Sequence, residues 1–258
     1  MTDWDGERYA EIATLQHDVG RRFVDELRPV GSGVRVVDAG CGEGFVTRLI
    51  AGLPWVDAVL GFDPSPLMIA KAGESALPGA EFVEGDVTSF VAREPFGLAV
   101  SLNALHWVPD SVAALTRLRE AVHPGGAVVC QFVPEGERPS IEDVAFGVAT
   151  SPEGPWAGFF TGFEPPHVHR TRGEWRDIAA AAGLALEADG LVERDLAWDF
   201  GSAAALQAWC ALGFTAYTQR VPEERHDEFL TAVTREYGRV TGSDQVLRFL
   251  QLRLAATA

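Results

Sequence analysis

The chain has 258 residues, enough for one large domain or a domain carrying a lid at roughly 150 residues per domain. It is 47% hydrophobic and 22% charged, with 37 acidic against 21 basic residues and a formal charge of -16, the balance of a folded chain that repels phosphate backbones. These totals exclude low-complexity and collagen-like chains; with no basic stripe and no apolar run near the ~18 residues of a membrane span, nucleic acid and membrane are not expected partners.

The opening "MTDWDGERY" is acidic where a secretory signal would be basic and then apolar, so a cytoplasmic location is the expectation. Cys41, Cys130 and Cys210 lie far apart, without CxxC or Cys/His spacing, and read as reduced structural thiols; no metal is expected.

From Val34 to Val133 short apolar runs alternate with helix-like stretches, the pattern of parallel strands joined by crossover helices. The predicted strands are Val34–Asp38, Ala58–Asp63, Ala80–Glu84, Leu98–Leu102 and Ala127–Val133. Between them Ser65 caps a helix that starts at Pro66, where a missing N–H costs nothing. Asp110 starts another, with Val112, Leu115, Leu118 and Val122 on one face and "HPGG" at its end.

The stretch Pro134–Arg170 is rich in Pro, Gly and aromatics without a clean period and reads as an inserted lid. Trp156, Phe159, Phe160 and Phe163 would give it an apolar surface; Arg170, Arg172, His167 and His169 could supply charge. Thr171 and Glu174 form a capping box opening a helix through Trp175 and Ile178 that Gly183 ends. "LALEADGLVERDLAWDF" alternates as a strand that Gly190 bulges or breaks. Two helices follow, one near Ser202 with Leu206, Trp209 and Phe214, one near Pro222 with Phe229, Val233 and Tyr237. Val246–Leu254 returns as a last strand. The expected organisation is residues 1–133 as N-terminal helices and binding core, 134–172 as the lid, and 173–258 as remaining core with a helical cap around 202–240.

The first strand runs into "VRVVDAGCGEG", placing Gly40, Gly42 and Gly44 at the carboxyl edge of the sheet, where such folds bind ligands. The spacing is G-x-G-x-G; the dinucleotide fingerprint G-x-G-x-x-G would need glycine at Phe45 or Thr47, so a nicotinamide dinucleotide is disfavoured. Asp38, two residues ahead, repels a phosphate and can pair with an ammonium group. Asp63 ends the second strand about twenty residues on, where a carboxylate accepts from both hydroxyls of a ribose. Asp86 can accept from an adenine amine while the Val87 N–H serves a ring nitrogen. Adenosine, a positive end and no phosphate describe S-adenosylmethionine.

With "VVDAGCGEG", "GFDPSPLMIAKA", "FVEGDV" and "VHPGGAVV" in order and spacing, the chain resembles the class I S-adenosylmethionine-dependent methyltransferases. That resemblance implies an α/β fold: a Rossmann-like, mostly parallel seven-stranded sheet with helices on both faces and a largely helical lid over the carboxyl edge. It also implies that the three glycines touch the methionine part, Asp63 the ribose, Met68 the adenine face and Asp86 its amine, with S-adenosylmethionine as cofactor and a small molecule as substrate.

"LNALHWVPD" follows the fourth strand to the same edge, so Leu102 and Asn103 are read as cofactor contacts and His106 as the candidate catalytic residue. His106 either donates a hydrogen bond to a carboxylate acceptor, which is already ionised near neutral pH, or removes a proton from a hydroxyl. "YAEIATLQ", "LHWV" and the stretch from Ala203 to Tyr237 are similar to the trans-aconitate methyltransferases and relatives acting on small carboxylic acids. That similarity implies carboxyl O-methylation of a small apolar or aromatic acid, with Tyr9 near the cofactor and Gln16 and Trp107 fixing the acceptor. The competing readings are O-, N- or C-methylation of another small molecule with His106 as base, and a cofactor-binding protein without turnover.

Overall fold

The computed structural model describes the backbone of residues 6–75 and 77–258, and their side chains from residue 14 onward. Seven strands, β1 (Val34–Ala39), β2 (Val56–Asp63), β3 (Ala80–Glu84), β4 (Phe96–Leu102), β5 (Val122–Phe132), β6 (Ala185–Asp199) and β7 (Val246–Thr257), form one sheet in the order β3-β2-β1-β4-β5-β7-β6. β1 pairs parallel with β2 and β4, β2 with β3, and β4 with β5; β7 runs antiparallel to β5. The strand order reverses at β1, so the loops leaving β1 and β4 diverge and leave a crevice at their carboxyl ends.

The valine-rich β1 is buried along almost its whole length, as a parallel strand covered on both faces must be. Val37 joins a core with Ala99, Leu115, Leu118 and Trp175, which brings in α4 (Ser111–Ala121) and α6 (Arg172–Ala181). Val36, pointing the other way, joins Val100, Phe23 and Ile50 from α1 (Gly6–Asp25) and α2 (Phe45–Ala51).

Local starts follow their caps. The Met68 N–H donates to the Ser65 hydroxyl at 3.3 Å and Pro66 is the first residue of α3 (Pro66–Gly73). The Ala113 N–H donates to the Asp110 carboxylate at 2.9 Å, and Thr171 and Glu174 close their capping box on α6. The face expected for α4 is corrected: its buried apolar residues are Ala114, Leu115, Leu118 and Ala121, Val112 in the first turn is 38% exposed, and Val122 already belongs to β5. "HPGG" does end α4, but as a detour within β5. Its pairing with β4 passes from Val122 to Ala127, while the Gly125 N–H donates to the Ala258 carbonyl and the Ala258 N–H to that of Gly126. Gly190 does not interrupt β6: a Cβ there would lie 2.5 Å from the Ala255 carbonyl oxygen, so glycine permits close backbone approach inside a continuous strand.

Two compact units divide the chain. One comprises residues 16–134, 168–194 and 251–258; the other comprises residues 1–15, 135–167 and 195–250. The second contains α5 (Ile141–Thr150), α7 (Ala203–Gly213), α8 (Thr215–Thr218) and α9 (His226–Thr241). The stretch without a visible period thus holds a helix, α5, opened by a capping box of Ser140 and Asp143. The unit's core is aromatic: Phe160 stacks on Phe229 at 5.6 Å, Phe163 meets Tyr217 at 5.0 Å and Trp156 sets its edge on Phe229 at 5.3 Å. Trp156 and Phe160, read from sequence as part of an apolar surface of the lid, are only 2% and 3% exposed and are part of this packing. Large apolar area is most stabilising when removed from water, which explains the difference.

Cys41, Cys130 and Cys210 are free and buried, and burial pushes the Cys130 thiol up to about 12. No helix among the described residues is long and apolar enough to cross a membrane.

Candidate functional site

The loop from Gly40 to Gly44 is tied to β2 at its base, where the N–H groups of Gly40 and Cys41 both donate to the Phe62 carbonyl at 2.8 and 3.0 Å. Gly40, Gly42 and Gly44 all have positive φ, +72°, +54° and +81°, yet their bare Cα atoms serve different needs. A Cβ on Gly40 would lie 2.3 Å from the Ala104 Cβ, and one on Gly44 would lie 2.5 Å from the Phe82 ring. These two glycines let protein meet protein. A Cβ on Gly42 would meet nothing within 4 Å, so this is where the backbone itself faces open space.

Asp63 joins the loop to α3, its two carboxylate oxygens accepting from the Gly42 N–H at 3.0 Å and the Ser65 N–H at 2.9 Å. Each oxygen retains a further lone pair, so the same carboxylate can also accept from a diol. Asp38 is 1% exposed and accepts from the Thr47 hydroxyl at 2.6 Å. Burial pushes its carboxyl up to about 6, the Thr47 hydrogen bond works against this, and the nearby Asp63 charge adds to it. A direct pairing of Asp38 with a ligand is not what this burial offers; its charge acts across the loop.

Glu43 projects from the same loop to Lys71 of α3 at 2.5 Å, and the His17 ring stands 3.8 Å away while stacking on Phe45. Burial alone would raise the Glu43 carboxyl; Lys71 overcomes this and holds it below the usual range. Lys71 is the only lysine of the chain.

Asp86, after β3, is exposed and accepts from the Thr88 N–H at 2.7 Å and the Thr88 hydroxyl at 2.5 Å; the neighbouring Val87 is buried. Met68 and Leu67, at the start of α3, are 44% and 81% exposed, an apolar pair beside the end of β2; Leu67 was not singled out in the sequence. At the end of β4, Leu102 is half-buried and Asn103 takes the left-handed φ of +52°. His106 is 3% exposed, its carbonyl accepts from the Val168 N–H at 2.7 Å, and its ring lies 5.1 Å from that of Trp107, which is 39% exposed. Gln16 is exposed on α1, while the side chain of Tyr9 lies outside the described residues. Arg170 is engaged with the Pro109 carbonyl at 2.7 Å and the Ser111 hydroxyl at 3.1 Å.

The switch-point crevice thus offers an open backbone cradle at Gly42, a carboxylate with spare acceptor capacity at Asp63 and a buried negative charge at Asp38, a donor set that fits a nucleoside with a cationic end.

A family model described as a methyltransferase domain matches residues 36–126, from within β1 to the start of β5 and including this loop. The trans-aconitate 2-methyltransferase of Rhizobium leguminosarum bv. trifolii is 27% identical over 263 residues, covering 98% of each chain. That of Methylobacterium nodulans is 34% identical over 140 residues, so the match spans about half of each chain, 54%. The YcgJ protein of Bacillus subtilis shares the fold at a TM-score of 0.64 and 17% identity, covering 94% of this chain and 98% of that one. Phosphoethanolamine N-methyltransferase 2 of Haemonchus contortus, solved with S-adenosyl-L-methionine, does so at 0.58 and 15%, covering 93% of this chain and 52% of that one. Residues 36–126 are a methyltransferase domain, and over nearly its whole length the chain is similar to methyltransferases that carry the same fold.

Proposed function

We propose that the chain transfers a methyl group to the carboxylate of a small apolar or aromatic acid. In this reading the open backbone at Gly42 receives the methionine part of the cofactor and the field of Asp38 favours its ammonium. Gly40 and Gly44 hold the loop in shape, Asp63 takes the ribose hydroxyls, Met68 covers the adenine, and Asp86 with the Val87 N–H reads its edge. Leu102 and Asn103 line the opposite wall; Trp107 and Gln16 hold the acceptor. When bound, S-adenosylmethionine supplies a methyl carbon on a sulfonium, open to in-line displacement. The protein's share is to align the nucleophile and keep water out.

The observation that carries the carboxylate reading is the burial of His106 at 3% exposure. A phenol or amine acceptor needs a base that can pass its proton onward, whereas a carboxylate arrives ionised and needs only placement. The relatives named trans-aconitate 2-methyltransferase support the same acceptor group. A polyanionic acceptor would call for several cations, and Arg170 is already committed to Pro109 and Ser111, which favours an acid with one carboxylate.

The test is methyl-labelled cofactor with purified protein against a panel of aliphatic and aromatic monocarboxylic acids, trans-aconitate and phenols. Label that alkali releases as methanol from a monocarboxylate marks the proposed ester; alkali-stable label, or label on trans-aconitate alone, rejects it. On the same reading His106→Ala lowers turnover modestly and without a pH dependence; a large loss partly recovered at high pH would make His106 a base.

A further inference from the structure

Three amide side chains form a closed chain of hydrogen bonds at the carboxyl ends of β4 and β5. The Gln131 side-chain amide donates to the Gln251 Oε1, and the Gln251 Nε2 donates to the Asn103 Oδ1 at 2.9 Å. The Asn103 main-chain N–H returns to the Gln131 carbonyl at 2.7 Å. Gln131 and Gln251 are 6% and 2% exposed. Burying polar amides is costly unless their hydrogen bonds are made, and apolar side chains would fill the same strand positions without that cost.

What the chain holds is Asn103, whose φ of +52° is the one positive value outside glycine among the described residues. Asparagine tolerates this conformation better than other side chains, but it still needs surroundings that fix it. The residue after it, Ala104, is the one whose Cβ fills the space that Gly40 vacates. The Asn103–Ala104 turn therefore sets how far the β4 loop stands from the glycine loop, which is the width of the crevice.

We propose that Gln251, 148 residues from Asn103 in the chain, is a positioning residue. Through the Asn103 amide it locks the loop leaving β4 in the shape that receives the cofactor. The proposal rests on the switch-point crevice being the cofactor site.

The test uses S-adenosylhomocysteine calorimetry and hydrogen exchange of the ligand-free protein, neither of which depends on the acceptor. Gln251→Leu is expected to weaken binding about tenfold and to speed exchange of the Trp107 and Val108 amides at least tenfold, with the β1 and β2 amides unchanged. Gln251→Asn, one methylene short of Asn103, keeps an amide in the strand and is expected to act in the same way should the leucine variant fail to fold. Asn103→Gly removes the anchored side chain, so adding a Gln251 substitution to it should cost no further affinity, the non-additivity of residues on one path. Wild-type affinity with unchanged exchange, losses that add independently, or loosening spread evenly over all strands would each overturn the proposal. Gly42→Val separates the two layers. If it abolishes binding while the Gln251 variants bind normally, the positioning role fails alone; if it binds normally, the crevice reading fails and the role with it.

Discussion

At the scale of single residues, the glycine loop separates two uses of the same residue type. Gly42→Ala places its Cβ in open space, so the fold loses only the strain of an L-residue at φ +54°, roughly 1–2 kcal/mol, while cofactor affinity falls sharply. Gly40→Ala drives a Cβ to 2.3 Å from Ala104 and should cost more stability than Gly42→Ala, as paired denaturant melts and S-adenosylhomocysteine titrations would show. Asp38 makes a prediction with a sign. Its carboxyl rises from 3.8 to about 6 on folding, so the unfolded chain gives up the proton first and stability falls as pH rises between those values. Above pH 6 the full cost persists, on the order of 2–3 kcal/mol at about 1.4 kcal/mol per unit. Asp38→Asn should therefore stabilise the free protein more at pH 8 than at pH 5 by denaturant melts. It should also weaken binding of the cationic cofactor, whose affinity for the wild type should rise as pH passes through 6.

At the scale of elements, the strands that carry the site were legible because a parallel strand buried on both faces is a run of valines and leucines. The helices were legible where a cap announces them, as Ser65–Pro66, Asp110 and Thr171–Glu174 do. α5 escaped although "SIED" carries the same signature as "TRGE", because Pro and Gly crowd both of its ends and the apolar residues Val144, Ala145 and Ala149 are small. Ser140→Ala should lower stability by about 1 kcal/mol, read as a shift in thermal midpoint, since it removes the acceptor for the Asp143 N–H. Asp38, Asp63 and the glycines could be read together from the sequence, by their chemistry and spacing, because strand ends and the following loop are contiguous in the chain. The buried amides Gln131 and Gln251 left no such mark. Their meaning comes from strands distant in sequence, and a glutamine in a strand says nothing by itself about what it will touch. The division of the glycines into packing and open positions was illegible for the same reason, since Ala104 and Phe82 reach the loop only through the sheet.

At the scale of the whole molecule, the charge of -16 acts on both reactants and does so with opposite sign. S-adenosylmethionine carries a sulfonium and an ammonium against one carboxylate, so the field of an acidic protein draws it in; a carboxylate acceptor is repelled by the same field. Salt screens such fields over about 10 Å at 0.1 M, and a crevice at the sheet edge lies within reach of that screening. Raising sodium chloride from about 0.01 to about 0.3 M, across which the screening length falls several-fold, should therefore raise the dissociation constant for the cofactor and lower the KM for the acceptor. A neutral phenol would show the first change without the second. Steady-state titrations of each substrate at two ionic strengths thus report the charge of the acceptor before its identity is known, and an acceptor KM that rises with salt would contradict the carboxylate reading.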